Sequence, residues 1–132
     1  MRRILLFSTS TLHGGAYLEY GLPYLREFLG DVRSILFVPY ARPGGMSHDR
    51  YTELFRGALE PAGYEVRGIH EADDPVAAVR TSDSLFVGGG NTFVLLRDLY
   101  ERRLIDAVRE RVAEGMPYLG SSAGSNVAGR TI

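Results

Sequence analysis

The sequence reads as one α/β domain, a parallel sheet with helices on both faces. Short apolar runs alternate with longer segments of helical period, the pattern of βαβ units. The runs Ile4-Leu5-Leu6-Phe7 and Leu85-Phe86-Val87 are continuous where a half-exposed strand would alternate, as expected of strands covered on both sides. Glycine-rich or polar turns follow several runs, which is where such sheets carry their ligand sites.

Five strands are expected: Arg3 to Ser8, Ser34 to Val38, Glu65 to Ile69, Ser84 to Val87 and Pro117 to Leu119. Between the first two, Leu18, Leu22, Leu25 and Leu29 mark one face of a helix from Ala16 to Leu29, which Pro23 should kink or shorten. Ser47 caps a second helix reaching Ala62, with Tyr51, Leu54, Phe55, Ala58 and Leu59 inward. A short helix begins near Pro75, Asn91 caps the next, Leu104 to Glu114 forms another, and a last one follows Ser122. No repeat or interdomain linker divides the chain, so residues 1–132 form one domain. The loops Thr9 to Gly15, Pro39 to Gly45, Gly88 to Asn91 and Ser121 to Gly124 should share one edge.

Composition narrows the chemistry. A chain of 132 residues, 45% hydrophobic and 23% charged, has the balance of a soluble globular domain. Its net charge of -1 argues against a nucleic-acid footprint. No segment approaches the ~20 apolar residues of a membrane span, and the first apolar run is too short for a signal peptide. Cytoplasmic residence is the default expectation. Cysteine is absent, which excludes disulfides and thiolate chemistry within the chain; the 15 basic residues are all arginine, which excludes lysine Schiff bases and Ser-Lys catalysis.

Gly120-Ser121-Ser122-Ala123-Gly124 fits G-x-S-x-G, the strand-to-helix turn that presents a serine hydroxyl as a nucleophile. Pro117-Tyr118-Leu119 supplies the strand and the residues from Ala123 the helix. A glycine-rich turn with a capping serine explains the same letters. Acyl transfer needs donors for the developing oxyanion, and the Ala123 amide is the first candidate. Gly88-Gly89-Gly90-Asn91 offers a second loop where a backbone amide can approach a substrate ahead of a helix N-terminus. A phosphate cradle or a tight turn with an Asn cap fits that loop equally.

Val87-Gly88-Gly89-Gly90-Asn91-Thr92-Phe93 and Gly120-Ser121-Ser122-Ala123-Gly124-Ser125-Asn126 resemble the paired motifs of the peptidase E, or α-aspartyl dipeptidase, family. Ser8-Thr9-Ser10-Thr11-Leu12, Gly68-Ile69-His70 and Asp74-Pro75 look like that family at similar positions. The resemblance implies a class I glutamine amidotransferase-like fold, a flavodoxin-like three-layer sandwich, with serine where those enzymes use cysteine. It implies a serine peptidase that removes N-terminal aspartate from dipeptides without cofactor or metal. Ser122 would be the nucleophile, Gly89, Gly90 and Ala123 the oxyanion hole, and Asn91 a substrate contact. The family's histidine and acidic residue lie downstream of the elbow, so the chain is expected to be the N-terminal portion of a longer peptidase domain. The missing segment or another copy of the chain should cover an exposed sheet edge.

The three histidines all precede the serine. His13 lies on the expected active edge, but edge location is not hydrogen-bond geometry. His48 is expected on the solvated surface, and His70, near Glu71, Asp73 and Asp74, in a polar loop without metal-ligand spacing. Arg42 is placed on the edge where an anionic substrate would arrive. Two rival readings are an anion-binding flavodoxin-like module without chemistry, and a hydrolase of aspartyl polymers resembling cyanophycinase.

Overall fold

The computed structural model describes residues 2–7 and 16–131, without the side chains of residues 16–20, 130 and 131. His13 and its loop lie outside the described residues. The strands are β1 (Ile4–Phe7), β2 (Ser34–Val38), β3 (Glu65–Gly68), β4 (Leu85–Val87) and β5 (Tyr118–Ser121). The helices are α1 (Ala16–Leu29), α2 (His48–Leu59), α3 (Pro75–Thr81), α4 (Thr92–Glu101), α5 (Ile105–Ala113) and α6 (Ala123–Thr131). No helix among the described residues is long and apolar enough to cross a membrane.

All pairings are parallel, in the order β1-β5-β4-β2-β3. The chain thus steps outward through β2 to β3 and then returns through β4 to β5. Right-handed crossovers in opposite directions deliver their helices to opposite faces. Accordingly Leu25 and Leu29 of α1 and Tyr51, Phe55 and Leu59 of α2 pack on Ile35, Phe37, Phe86 and Leu119. On the other face Val79 of α3, Leu95 and Leu99 of α4, Val108 and Val112 of α5 and Val127 of α6 cover Leu36, Val38, Leu85, Val87 and Tyr118. Alternate residues of each strand feed the two layers, so the continuous apolar runs are explained.

An aromatic stack anchors the first layer. Phe37 lies against Phe55 at 4.1 Å between ring centroids and meets Tyr51 edge-on at 5.0 Å. Phe55 also tilts onto Phe86 at 4.7 Å.

Element ends differ from expectation by one to three residues, for local reasons. The helix over Ala16–Leu29 runs unbroken across Pro23, whose ring is on the exposed side. α2 stops at Leu59, short of Ala62, because Pro61 has no N–H to continue the ladder and a 3-10 turn, Glu60–Ala62, takes over. β3 stops at Gly68, where the Glu71 carboxylate accepts the Gly68 amide at 2.7 Å and Ile69–Glu71 turns as a 3-10 helix. β5 runs beyond Leu119 to Ser121, which pairs with Phe7.

His48 is not the solvated residue expected from its place at a helix start. Its ring packs between Tyr40, at 5.4 Å, and His70, at 5.7 Å, and its Nε2 is buried without a hydrogen-bond partner among the described residues. His70 Nε2 lies 2.7 Å from Asp49 Oδ1, not against Asp73 or Asp74. Burial, then His70 and the Arg42 guanidinium, pull the His48 imidazole below its ordinary value, against a smaller opposing pull from Asp98.

A lowered histidine sets a pH dependence. Below about pH 6.5 the unfolded chain protonates this imidazole while the folded protein resists, so the unfolded state binds more protons and stability drops as the pH is lowered. The loss begins near the ordinary histidine value and levels off below the folded one. Glu71, held down by the Gly68 amide and then by Arg56, contributes stability that is lost only below the ordinary glutamate range, about 4.3. Urea unfolding at pH 7.5 and 5.5 should therefore show a loss of stability in the wild type that His48→Gln reduces; equal losses in both proteins would contradict it.

Candidate active site at the carboxyl edge

The sheet's carboxyl edge collects the turns after β4 and β5. Its organising residue is Ser122, which sits at φ 51°, in the left-handed region that side chains other than glycine and asparagine rarely adopt. The Ser122 amide donates to the Phe7 carbonyl at 3.0 Å, and the Ser122 carbonyl accepts the Asn126 amide at 3.0 Å. The first bond ties the turn to β1 and the second starts α6. The serine is partly exposed, and its hydroxyl has no hydrogen-bond partner among the described residues.

The flanking glycines keep the turn free of Cβ clashes. The left-handed conformation falls on Ser122 itself, while Gly120 and Gly124 make room for packing. A Cβ on Gly124 would lie 2.2 Å from the Val87 carbonyl oxygen, and one on Gly120 would lie 2.8 Å from the Gly124 carbonyl carbon. The helix start is thereby pressed onto β4 and β5. Buried Tyr118 donates its hydroxyl to the Gly124 carbonyl at 2.8 Å, and Ser125 Oγ lies 3.0 Å from the Gly120 carbonyl and 3.1 Å from that of Phe7.

The second loop comes up beside the serine. A Cβ on Gly89 would meet Ser122 Cβ at 2.9 Å, so this Cα faces the serine side chain. Gly90, at φ 141°, packs against the Ala41 carbonyl, which accepts the Asn91 amide at 2.8 Å. The Gly88 amide donates to Val38 at 3.1 Å. Between these two anchored amides, those of Gly89 and Gly90 make no hydrogen bond among the described residues. The Ala123 amide, in the first turn of α6, is one of the donors a helix leaves unpaired.

Asn91 is the cap read in the sequence. Its Oδ1 accepts the amides of Phe93 at 2.9 Å and Val94 at 3.1 Å, leaving the side-chain NH₂ as the group it can turn outward. α4 and α6 both begin here, and Asn126 Nδ2 reaches Thr92 Oγ1 at 3.4 Å. Two helix N-termini give the site a positive electrostatic bias that favours developing negative charge. Arg42 is on this edge but closes its own loop, with Nε on the Met46 carbonyl at 2.9 Å and a terminal nitrogen on that of Gly45 at 3.1 Å.

His48 and His70 do not join the serine. They follow β2 and β3, two and three strands from β5, or about 10 and 14 Å at ordinary strand spacing. One contact was missed in the sequence. Tyr51 reads as a core residue of α2, yet its hydroxyl donates to the Gly89 carbonyl at 3.1 Å, and its ring leaves no room for a Cβ on Gly88. The usable signal was that a buried tyrosine needs a partner for its O–H.

Known proteins share this sequence pattern and fold. A Drosophila melanogaster protein named probable alpha-aspartyl dipeptidase is 50% identical over 99% of this chain and 55% of its own length. The peptidase E of Streptomyces coelicolor is 48% identical, over 95% of this chain and 50% of its own. That of Haemophilus influenzae is 43% identical, over 100% and 61%. The chain thus spans a little over half the length of the curated relatives it matches. A crystal structure from Listeria monocytogenes EGD-e that carries the peptidase E name superposes with a TM-score of 0.72 at 26% identity, over 97% of this chain and 62% of that one. The fold is therefore the class I glutamine amidotransferase-like α/β arrangement. The description of peptidase family S51 matches residues 4–132, and the chain belongs to that family.

Proposed function

We propose that the protein carrying this chain is a serine peptidase that hydrolyses dipeptides with N-terminal aspartate, with Ser122 as its nucleophile. The observation that carries this reading is the left-handed Ser122 beside the amides of Gly89, Gly90 and Ala123, which are unpaired among the described residues. Relatives bearing the α-aspartyl dipeptidase and peptidase E names supply the substrate class.

In this reading Ser122 Oγ attacks the carbonyl carbon after aspartate and passes its proton to a general base. The carbonyl oxygen becomes an oxyanion that the Gly90 and Ala123 amides stabilise, with Gly89 shaping the approach. The base then gives the proton to the departing amine as the C–N bond breaks. Water, deprotonated by the same base, cleaves the acyl-enzyme and releases aspartate. Asn91 offers its side-chain NH₂ to the substrate. We place the base, a histidine, and its acidic partner in the part of the relatives' length that this chain does not span. Leu6, 46% exposed on the edge strand β1, is apolar surface for that part, or a second copy, to cover.

With the full-length protein, turnover of an Asp-X dipeptide should fall at least ~10⁴-fold on Ser122→Ala, as removal of a nucleophile does. Turnover that survives the substitution would remove Ser122 from the reaction, and no turnover by the wild type would favour the binding module. The strained turn adds a stability test. Ser122→Gly should be about 1 kcal/mol more stable than Ser122→Ala in urea unfolding, because glycine adopts positive φ without the Cβ penalty. Equal stabilities would mean the turn relaxes.

A further inference from the structure

We infer that Tyr51 is a positioning residue for the oxyanion hole, holding the Gly89–Gly90 peptide so that the Gly90 N–H faces the reacting carbonyl. The inference rests on the proposed acyl transfer at Ser122 and adds to it a residue from α2, which the G-x-S-x-G and glycine-loop motifs do not contain. Tyr51 is 2% exposed, and its ring is fixed edge-on against Phe37. From that fixed ring the hydroxyl donates to the Gly89 carbonyl at 3.1 Å in a buried setting.

A peptide unit is planar and trans, so its C=O and N–H point in opposite directions. Anchoring the Gly89 oxygen on Tyr51 therefore turns the Gly90 hydrogen away from α2. The other ends of the loop are held by Val38 and Ala41, but neither bond controls this plane. Rotation of this peptide changes ψ of residue 89 and φ of residue 90, both glycines, for which either orientation is sterically open. The sequence that lets the loop approach the serine thus leaves its key donor free to flip. The tyrosine hydroxyl removes that freedom.

Loss of a whole oxyanion donor costs 10²–10³ in kcat, and loosening one should cost about tenfold. The test uses the full-length protein, an Asp-X dipeptide, and the boronic acid analogue of aspartate as a tetrahedral mimic. In Tyr51→Phe, kcat should fall about tenfold with KM within about twofold, and the boronate should weaken about tenfold relative to product aspartate. Phe55→Leu, which loosens the same aromatic stack without touching Gly89, should keep kcat. A wild-type kcat in Tyr51→Phe would overturn the inference while leaving the peptidase standing. So would an equal loss in Phe55→Leu, which would point to general loosening. A Tyr51→Phe protein that fails to fold by circular dichroism would overturn it too, by assigning the hydroxyl to the fold. A wild type that leaves Asp-X dipeptides intact would instead refute the proposed reaction, and the positioning role with it.

Discussion

The contact on which the site depends is the seating of the α6 start on β4, where Gly124 lies so close to the Val87 carbonyl that a Cβ would come within 2.2 Å of it. A clash of that size cannot be relieved by a side-chain rotation, because the opposing atom is backbone. With glycine there, the first turn of α6 drops onto the sheet and the turn between β5 and α6 has almost no length. Ser122 is the single residue that must absorb the change of direction, which is why it carries the positive φ. The same seating brings the strand-end turn of β4 alongside, with Gly89 against the serine side chain.

Topology then decides what meets there. The chain crosses outward to β3 and returns to β5, so adjacent strands β4 and β2 send their helices to opposite faces, as do β5 and β1. Crevices open at such points because the connections diverge. The starts of α4 and α6 flank the serine, so backbone dipoles contribute a positive bias there. Arg42, which the sequence places on this edge, is bonded within its own loop.

Much of this was legible in the sequence because it depends on local rules. The apolar runs gave the five strands, Asn91 and Ser47 were read as caps, and the elbow letters located Ser122. What the letters could not convey was contact between distant segments. The need for glycine at Gly120 and Gly124 comes from the Gly124 backbone and the Val87 carbonyl respectively, partners that the letters themselves do not name. His48 read as surface from its place near a helix start, while Tyr40 and His70, beyond the ends of β2 and β3, pack against its ring. Tyr51 read as one more residue on a helical stripe, and its hydroxyl's destination lies 38 positions away.

Several restraints on Ser122 and on the Gly89 turn come from the described residues. The Phe7 carbonyl fixes the serine's amide, Val87 fixes the helix start, Tyr118 holds the Gly124 carbonyl, and Tyr51 holds that of Gly89. None of these contacts involves a base. The backbone geometry around Ser122 and Gly89 is therefore set by sheet packing. In the proposed reaction, a base supplied from elsewhere would have one task, to reach a hydroxyl on a turn already held in place. That division matches the energetics of acyl transfer, where preorganised dipoles contribute most when they need no rearrangement as the oxyanion forms. Under the proposed reaction the left-handed φ of Ser122 has a role, since relaxing the turn would shift its hydroxyl relative to Gly89.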